Sequence, residues 1–247
     1  MGFFVVLVVI IIIFVVYKIV SSKGHDTPAG NKIKREKIEL TFEDSDKTEG
    51  KYLVIDTETT GLPRNKHDRP ENVDNWPHII QLAWILFDNE GKEIEGKEYI
   101  LKQKVNIPPS AYEIHGITNT IMEEKGIDPK IVLTELLGAI KRAKTIIAHN
   151  IDFDLPILEA EFIRNGFEKQ LQKVDKVCTM KVGKNFCKLH GAYDDYKYPT
   201  LMELFRKCFY DYASSFRPLY DKHDAMTDVL LTAKCFFRLK ELNKIRK

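Results

Sequence analysis

Residues 51–58 read KYLVIDTE, an apolar and β-branched run that ends on acids. Such a run predicts a buried strand, because Val and Ile favour extended backbone. Residues 78–87 (HIIQLAWILF) and residues 97–101 continue the strand pattern, and DNEG at 88–91 predicts a hairpin turn between them. The globular part of the chain is therefore expected to open with an antiparallel meander.

Helices dominate the remainder of the chain. Residues 131–144 carry apolar side chains at helical spacing and lead into a predicted buried strand at 145–148. A second helix is predicted over residues 152–165, with Gly166 as its C-cap, and a last helix from about residue 224 to residue 242. This order of elements indicates an α/β fold in which a mixed sheet is flanked by helices.

Composition excludes several classes of protein. Hydrophobic residues make up 44% of the 247 positions and charged residues 30%, which excludes collagen, wholesale disorder and a multi-span membrane protein. The net charge of +2 does not indicate a partner that is bound mainly through its phosphate charge. Any contact with nucleic acid must therefore be local. The cysteines lack zinc-ligand or disulfide-framework spacing and are predicted to be reduced core or surface thiols; they are Cys178, Cys187, Cys208 and Cys235.

The N-terminal end differs from the rest of the chain. Residues 3–20 are almost wholly Val, Ile, Leu and Phe, and as a helix they would extend about 27 Å, close to the thickness of a bilayer core. We predict a transmembrane anchor over residues 1–22, a polar linker over residues 23–50 and a globular domain over residues 51–247. A signal peptide cleaved near Val20 is the alternative, but no Lys or Arg precedes the run. A buried helix of a soluble core is a third reading, which β-branched residues on every face disfavour.

Basic residues lie at or beyond the C-terminal end of the predicted span, whereas only the α-amino group precedes it. They are Lys18, Lys23, Lys32, Lys34, Arg35 and Lys37. By the positive-inside rule, this asymmetry predicts a single-pass membrane protein whose globular domain lies in the cytoplasm.

Acids at the end of the first predicted strand are the first candidates for chemistry. Asp56 and Glu58 are two residues apart, and alternate residues of a strand point to the same face, so both carboxylates are expected to emerge together. Alone, the pair is weak evidence, because acids at strand ends are common and usually only solvated.

Two further stretches combine acids with histidine. In HNIDFD at 149–154, Asp152 and Asp154 cannot face the same way on a helix, so we assign Asp154 to a site and Asp152 to helix capping. In HDAMTD at 223–228, Asp224 is a natural N-cap, which leaves His223 in the entering loop and Asp228 in the first helical turn.

Convergence of these acids would require cations. Two carboxylates about 4 Å apart repel by roughly 4 kcal/mol at an effective dielectric of 20, against a net stability of about 5–15 kcal/mol for a domain. Oxygen ligands favour Mg²⁺ or Mn²⁺ over Zn²⁺. Two such ions can hold the attacking and departing oxygens of a phosphodiester, and an imidazole can accept the proton of the attacking water. The pattern therefore indicates phosphodiester hydrolysis.

The ordered set of DTET from Asp56, HNIDFD and HDAMTD resembles the DEDDh subgroup of DnaQ-like 3′-to-5′ exonucleases, over about residues 51–242. The resemblance implies a ribonuclease-H-like fold with a mixed five-stranded sheet and two divalent metal ions. It implies that Asp56 bridges both ions and that His223 is the general base. The remaining metal ligands it implies are Glu58 and Asp228 for one ion and Asp154 for the other.

The same resemblance suggests residues that bind substrate. The turn that follows Glu58 contains Thr59 and Leu62 and would receive the terminal nucleotide, with the Leu62 side chain packed on its base. His115, in an HGIT loop, would lie near the 3′ end, and Asn150 is predicted to join it. Ordinary turn chemistry is the alternative for these loops. Residues 193–199 (YDDYKYP) could stack a second base, although a packed loop is the preferred reading there.

The function predicted from the sequence is therefore a metal-dependent 3′-to-5′ exonuclease. It would act on 3′ ends of single-stranded DNA, or of RNA, and release nucleoside 5′-monophosphates, with any polymerase or repair partner left open. A membrane-tethered binding module without catalysis is the alternative, which the complete set of acids disfavours. A phosphatase that forms an aspartyl-phosphate is a third reading, against which Glu58 and His223 argue.

Overall fold

A computed structural model describes residues 51–191, 195–210 and 223–245. The predicted anchor at residues 3–20 and the linker at 23–50 lie outside the described residues, so the predicted membrane topology stays a prediction. Among the helices of the described part, none is both long and apolar enough to cross a bilayer.

A sheet and its surrounding helices make up the described chain. The strands are β1 (Tyr52–Thr59), β2 (Ile79–Phe87), β3 (Glu93–Ile100), β4 (Thr145–Ala148) and β5 (Asp175–Cys178). The helices are α1 (Pro109–His115), α2 (Asn119–Lys125), α3 (Pro129–Arg142), α4 (Ile151–Arg164), α5 (Thr179–Cys187), α6 (Leu201–Phe209) and α7 (Ala225–Glu241), with a 3₁₀ turn at Val73–Asn75.

The five strands form one mixed sheet in the order β3-β2-β1-β4-β5. The pairs β1–β2 and β2–β3 are antiparallel, whereas β4 is parallel to both β1 and β5. The predicted meander and the mixed five-stranded sheet are therefore confirmed. Because β1 is the central strand and β4 runs parallel beside it, the carboxyl end of β1 lies next to the start of α4, the helix that follows β4.

Alternation along β1 decides which helix each side chain meets. Leu53 and Ile55 belong to the core that α3 and α4 cover, whereas Tyr52 and Val54 belong to the cluster that contains the apolar face of α7. Because side chains alternate, Asp56 and Glu58 continue the face toward α7. Thr57 and Thr59 continue the face toward α4.

The start of α4 corrects one prediction. Asn150 is the N-cap residue, in a left-handed conformation with φ 74°, and no side chain caps the helix there. Asp152 is an exposed residue of the first turn that forms an ion pair with Lys181, so its assigned capping role is wrong. The chain turns so tightly from β4 into α4 that Asp152 is already inside the helix.

The predicted C-cap of α4 and the predicted N-cap of α7 agree with the structure to within one residue. Asn165 is the C-cap of α4, one residue earlier than predicted, and Gly166, predicted as the C-cap, follows it with φ 80°. The Asp224 side chain caps α7 by accepting the Thr227 backbone N–H. All four cysteines are buried free thiols.

Candidate active site

Acids gather at the carboxyl end of β1. Glu58 from the strand, His223 from the loop before α7 and Asp228 from its first turn offer ligand atoms that all lie within 4.8 Å of one another. Residues separated by more than 160 positions in the chain therefore meet in a space suited to one cation. Carboxylate oxygens with a single imidazole and no thiolate are a donor set that fits a hard divalent ion.

Asp154 reaches this end of the sheet from α4. Its side chain is buried, at 3% exposure, and its Oδ1 accepts a hydrogen bond of 2.9 Å from the Thr57 hydroxyl. The predicted inward orientation of Asp154 is therefore what the structure has. Thr57, between the two acids of β1, is a contributor that the sequence analysis did not identify.

Burial and neighbouring charges raise the pKa values of three acids at this site. Burial, and then the charges of Asp154, Asp228 and Glu58, raise the pKa of Asp56 well above its ordinary value. Burial raises the pKa of Glu58 to about 7, although the His223 imidazole opposes the rise. Burial likewise raises the pKa of Asp154 to about 7 against the opposing hydrogen bond from Thr57. Burial is the largest cause of each rise and repulsion between the carboxylates adds to it, and a bound cation would offset both.

His223 is held by two contacts. Its Nδ1 lies 2.9 Å from Asp228 Oδ2, and its backbone N–H donates to the carbonyl of Ile114 at 3.1 Å. The hydrogen bond with Asp228 raises the pKa of the His223 imidazole. Because Ile114 precedes His115, the predicted 3′-end loop and the predicted general base are joined directly through the backbone.

Gln81 is a second residue that the sequence analysis missed. From β2, its Nε2 donates to Asp224 Oδ1 at 3.2 Å and to Glu98 Oε1 at 2.8 Å, while its Oε1 accepts the Ala225 N–H at 3.3 Å. Gln81 thereby fixes the first residues of α7, the helix that carries Asp228. The sequence signal that could have identified Gln81 is its position as the one polar residue in the otherwise apolar β2.

The four predicted substrate-binding residues lie at the end of β1, in the loop after it and at the ends of two helices. The Thr59 hydroxyl donates to the Gly61 carbonyl at 2.7 Å, and the Leu62 side chain that follows is 82% exposed. His115 is buried at the end of α1, and its Nδ1 accepts the Ile117 N–H, so the neutral ring carries its proton on Nε2. Asn150 begins the helix that contains Asp154. Their contacts with a substrate stay predictions.

Comparison with known proteins gives matches across most of the described domain. The family model RNase_T, described as exonuclease, matches residues 53–236. The PolC-type DNA polymerase III of Mycoplasmopsis pulmonis is 27% identical over 216 residues, which cover 86% of this chain and 13% of that protein. The 3′-5′ exonuclease DinG of Bacillus subtilis is 30% identical over 118 residues, which cover 48% of this chain and 11% of that protein. This chain therefore spans only a small part of the length of either relative.

Solved structures share the fold. The crystal structure of Escherichia coli Exonuclease I in complex with a 5cy-dA13 oligonucleotide superposes with a TM-score of 0.58 at 21% identity. The match covers 77% of this chain and 40% of that one. The domain architecture is thus common to both, with the carboxylates at the carboxyl end of the central strand in this chain.

Proposed function

Because this chain belongs to the RNase_T exonuclease family, the DnaQ-like group that its three motifs resemble, we propose that it removes nucleotides from 3′ ends. The proposed substrate is single-stranded nucleic acid, with DNA favoured over RNA, and the product is a nucleoside 5′-monophosphate. The observation that carries the proposal is the meeting of Glu58, Asp228 and His223 within 4.8 Å beside the buried Asp154. The name of DinG supports the 3′-to-5′ direction, and the oligonucleotide complex of Exonuclease I supports DNA.

The family implies divalent metal ions, and the carboxylates of this site would hold two, Mg²⁺ or Mn²⁺. Asp56 would contact both, Glu58 and Asp228 would hold one, and Asp154 would hold the other. When bound, such ions polarise the phosphoryl oxygens and offset the charge that develops in hydrolysis. Burial and neighbouring charges raise the pKa values of Asp56, Glu58 and Asp154, so cations would stabilise these three in the ionised form that binds metal.

His223 would act as the general base. Its Nδ1 is engaged by Asp228, which orients the ring and leaves Nε2 to accept the proton of the attacking water. Asp228 therefore has two proposed roles, as a metal ligand and as the group that positions the imidazole.

Substrate would be held by the residues around the acids. The exposed Leu62 side chain offers an apolar surface for the terminal base, which tolerates any sequence because every base has an apolar face. Thr59 would shape the turn that presents Leu62. His115 would lie near the 3′ end, and Asn150 would contact the substrate from the start of α4.

A membrane setting is a separate part of the proposal. The apolar run at residues 3–20 would anchor the protein, and the basic residues after it would keep the catalytic domain in the cytoplasm. Expression with and without residues 1–22, followed by membrane sedimentation, tests this. Sedimentation of the truncated protein with membranes would contradict the anchor.

The catalytic proposal is tested with single-stranded DNA and RNA labelled at the 5′ or the 3′ end, incubated with Mg²⁺ or with chelator. We expect a ladder that shortens from the 3′ end, release of 5′-monophosphates, and no cleavage in chelator. Asp56→Ala should abolish cleavage, whereas Glu124→Ala, at an exposed carboxylate of α2, should leave it intact. Binding of oligonucleotide without cleavage at any Mg²⁺ or Mn²⁺ concentration would instead support a non-catalytic module.

A further inference from the structure

A groove next to the proposed active site has no role in the mechanism above. It has a volume of about 1060 Å³ and lies between the loop after β1, the start of α4, strand β5 and the start of α5. We call it the lysine groove, after the lysines that line it: Lys66, Lys176, Lys181 and Lys244. All four are exposed, and Asp152, which also lines the groove, pairs with Lys181. An excess of positive charge therefore faces the groove, although the chain as a whole is nearly neutral.

One exposed tyrosine ring stands in the same lining. Tyr198, from the loop before α6, is 50% exposed, which differs from the packed loop preferred for this segment in the sequence analysis. The backbone beside it is fixed, because the carbonyl of Pro199 lies 3.1 Å from His149 Nε2, whose ring also contacts the Thr179 hydroxyl. An exposed ring on a fixed backbone is a surface on which a nucleobase can stack.

The groove lies beside the proposed active site. Phe153 and Leu155 both line it, and they flank Asp154 in the chain at the start of α4. A strand whose 3′ end lies at the acids would therefore pass the start of this helix to enter the groove. Positive charge beside an exposed aromatic ring is the combination that binds single strands without sequence preference.

We propose that the lysine groove binds the part of the single strand that lies 5′ to the nucleotide being removed. Lys176 and Lys181 contact its phosphates, and Tyr198 stacks one unpaired base. This inference rests on the proposed exonuclease function and adds to it a preference for substrates long enough to fill the groove.

The test compares kcat/KM for a dinucleotide with kcat/KM for a long oligothymidylate. Tyr198→Ala should reduce the preference for the long substrate by about tenfold, as expected for loss of one stacked base, and Tyr198→Phe should restore it. The Lys176→Ala/Lys181→Ala double variant should lower the slope of log KM against log salt by about 1.4, since each phosphate contact on a single strand contributes about 0.7. Lys92→Ala/Lys130→Ala, at exposed lysines outside the groove, is the matched control.

A measurement on the unaltered protein keeps the test independent of variant folding. An oligonucleotide with a photoreactive thymidine a few positions from its 3′ end should crosslink to the segment that contains Tyr198, as mapped by mass spectrometry. Unchanged length preference in both groove variants, or crosslinks confined to other surfaces, would overturn the groove while leaving the exonuclease in place. Absence of cleavage of either substrate by the unaltered protein would instead overturn the proposed function itself.

Discussion

Replacing Asp154 with asparagine is expected to stabilise the metal-free protein at alkaline pH while abolishing cleavage. The side chain is 3% exposed, and burial raises the pKa of its carboxyl from 3.8 to about 7. Ionised Asp154 therefore destabilises the folded state, and the penalty grows as pH rises from the unfolded pKa through the folded pKa. Asparagine keeps the oxygen that accepts the Thr57 hydroxyl but carries no charge.

The magnitude follows from the two pKa values. A shift from 3.8 to about 7, at 1.36 kcal/mol per pKa unit, gives an upper limit of about 4 kcal/mol at pH 8. At pH 5 the carboxyl is mostly protonated in the folded protein but mostly ionised in the unfolded chain. The gain in stability from the substitution is then about 2 kcal/mol. Since about 1 kcal/mol shifts the melting temperature of a domain this size by roughly 2–4 °C, the gain at pH 8 is about 10 °C.

Thermal unfolding in EDTA at pH 5 and pH 8 checks this expectation. Asp152→Asn is the matched control, because that carboxylate is exposed and pairs with Lys181, so its removal should change stability by less than about 0.5 kcal/mol. Addition of Mg²⁺ should raise the melting temperature of the unaltered protein more at pH 8 than at pH 5. An Asp154→Asn variant no more stable than the unaltered protein at pH 8, or with the same gain at both pH values, would refute the reasoning.

Three further perturbations are informative. His223→Ala should lower kcat by roughly 10²- to 10⁴-fold with little change in Mg²⁺ affinity by calorimetry, and a loss of metal binding instead would contradict a role as base. Gln81→Leu should reduce kcat and also lower the melting temperature, because it removes the hydrogen bonds to Asp224, Glu98 and Ala225; an unchanged kcat would show that the start of α7 is fixed without it. Leu62→Ala, at 82% exposure, should raise KM for single-stranded DNA several-fold without a change in melting temperature, and the reverse pattern would assign it to packing.

The local pattern of apolar residues predicted the strands and helices in which buried side chains recur regularly or continuously along the sequence. The run at residues 51–58 and the apolar β2 are identifiable because a strand buried on both faces needs continuous apolar residues. Strand β5 escaped prediction, because its four residues, DKVC, include only two apolar side chains and it is ordered by parallel pairing with β4. Its extended form is a consequence of its neighbour in the sheet.

Strand alternation was sufficient to place Asp56 and Glu58 on one face, and helical geometry to separate Asp152 from Asp154. The contacts of Gln81 and Thr57 could not be predicted, since their partners Asp224 and Asp154 lie 143 and 97 residues away in sequence. No local period carries such information. The Asp152 error arose because acids favour N-caps in general, whereas here Asn150 occupies that position with a left-handed backbone.

The order in which the elements are synthesised determines when the proposed active site can form. Asp56 lies on the first described strand, while His223 and Asp228 lie at the start of the last described helix. A nascent chain on the ribosome has its first two acidic motifs translated well before the third exists. The proposed active site is therefore complete only once α7 has been synthesised and packs against β1.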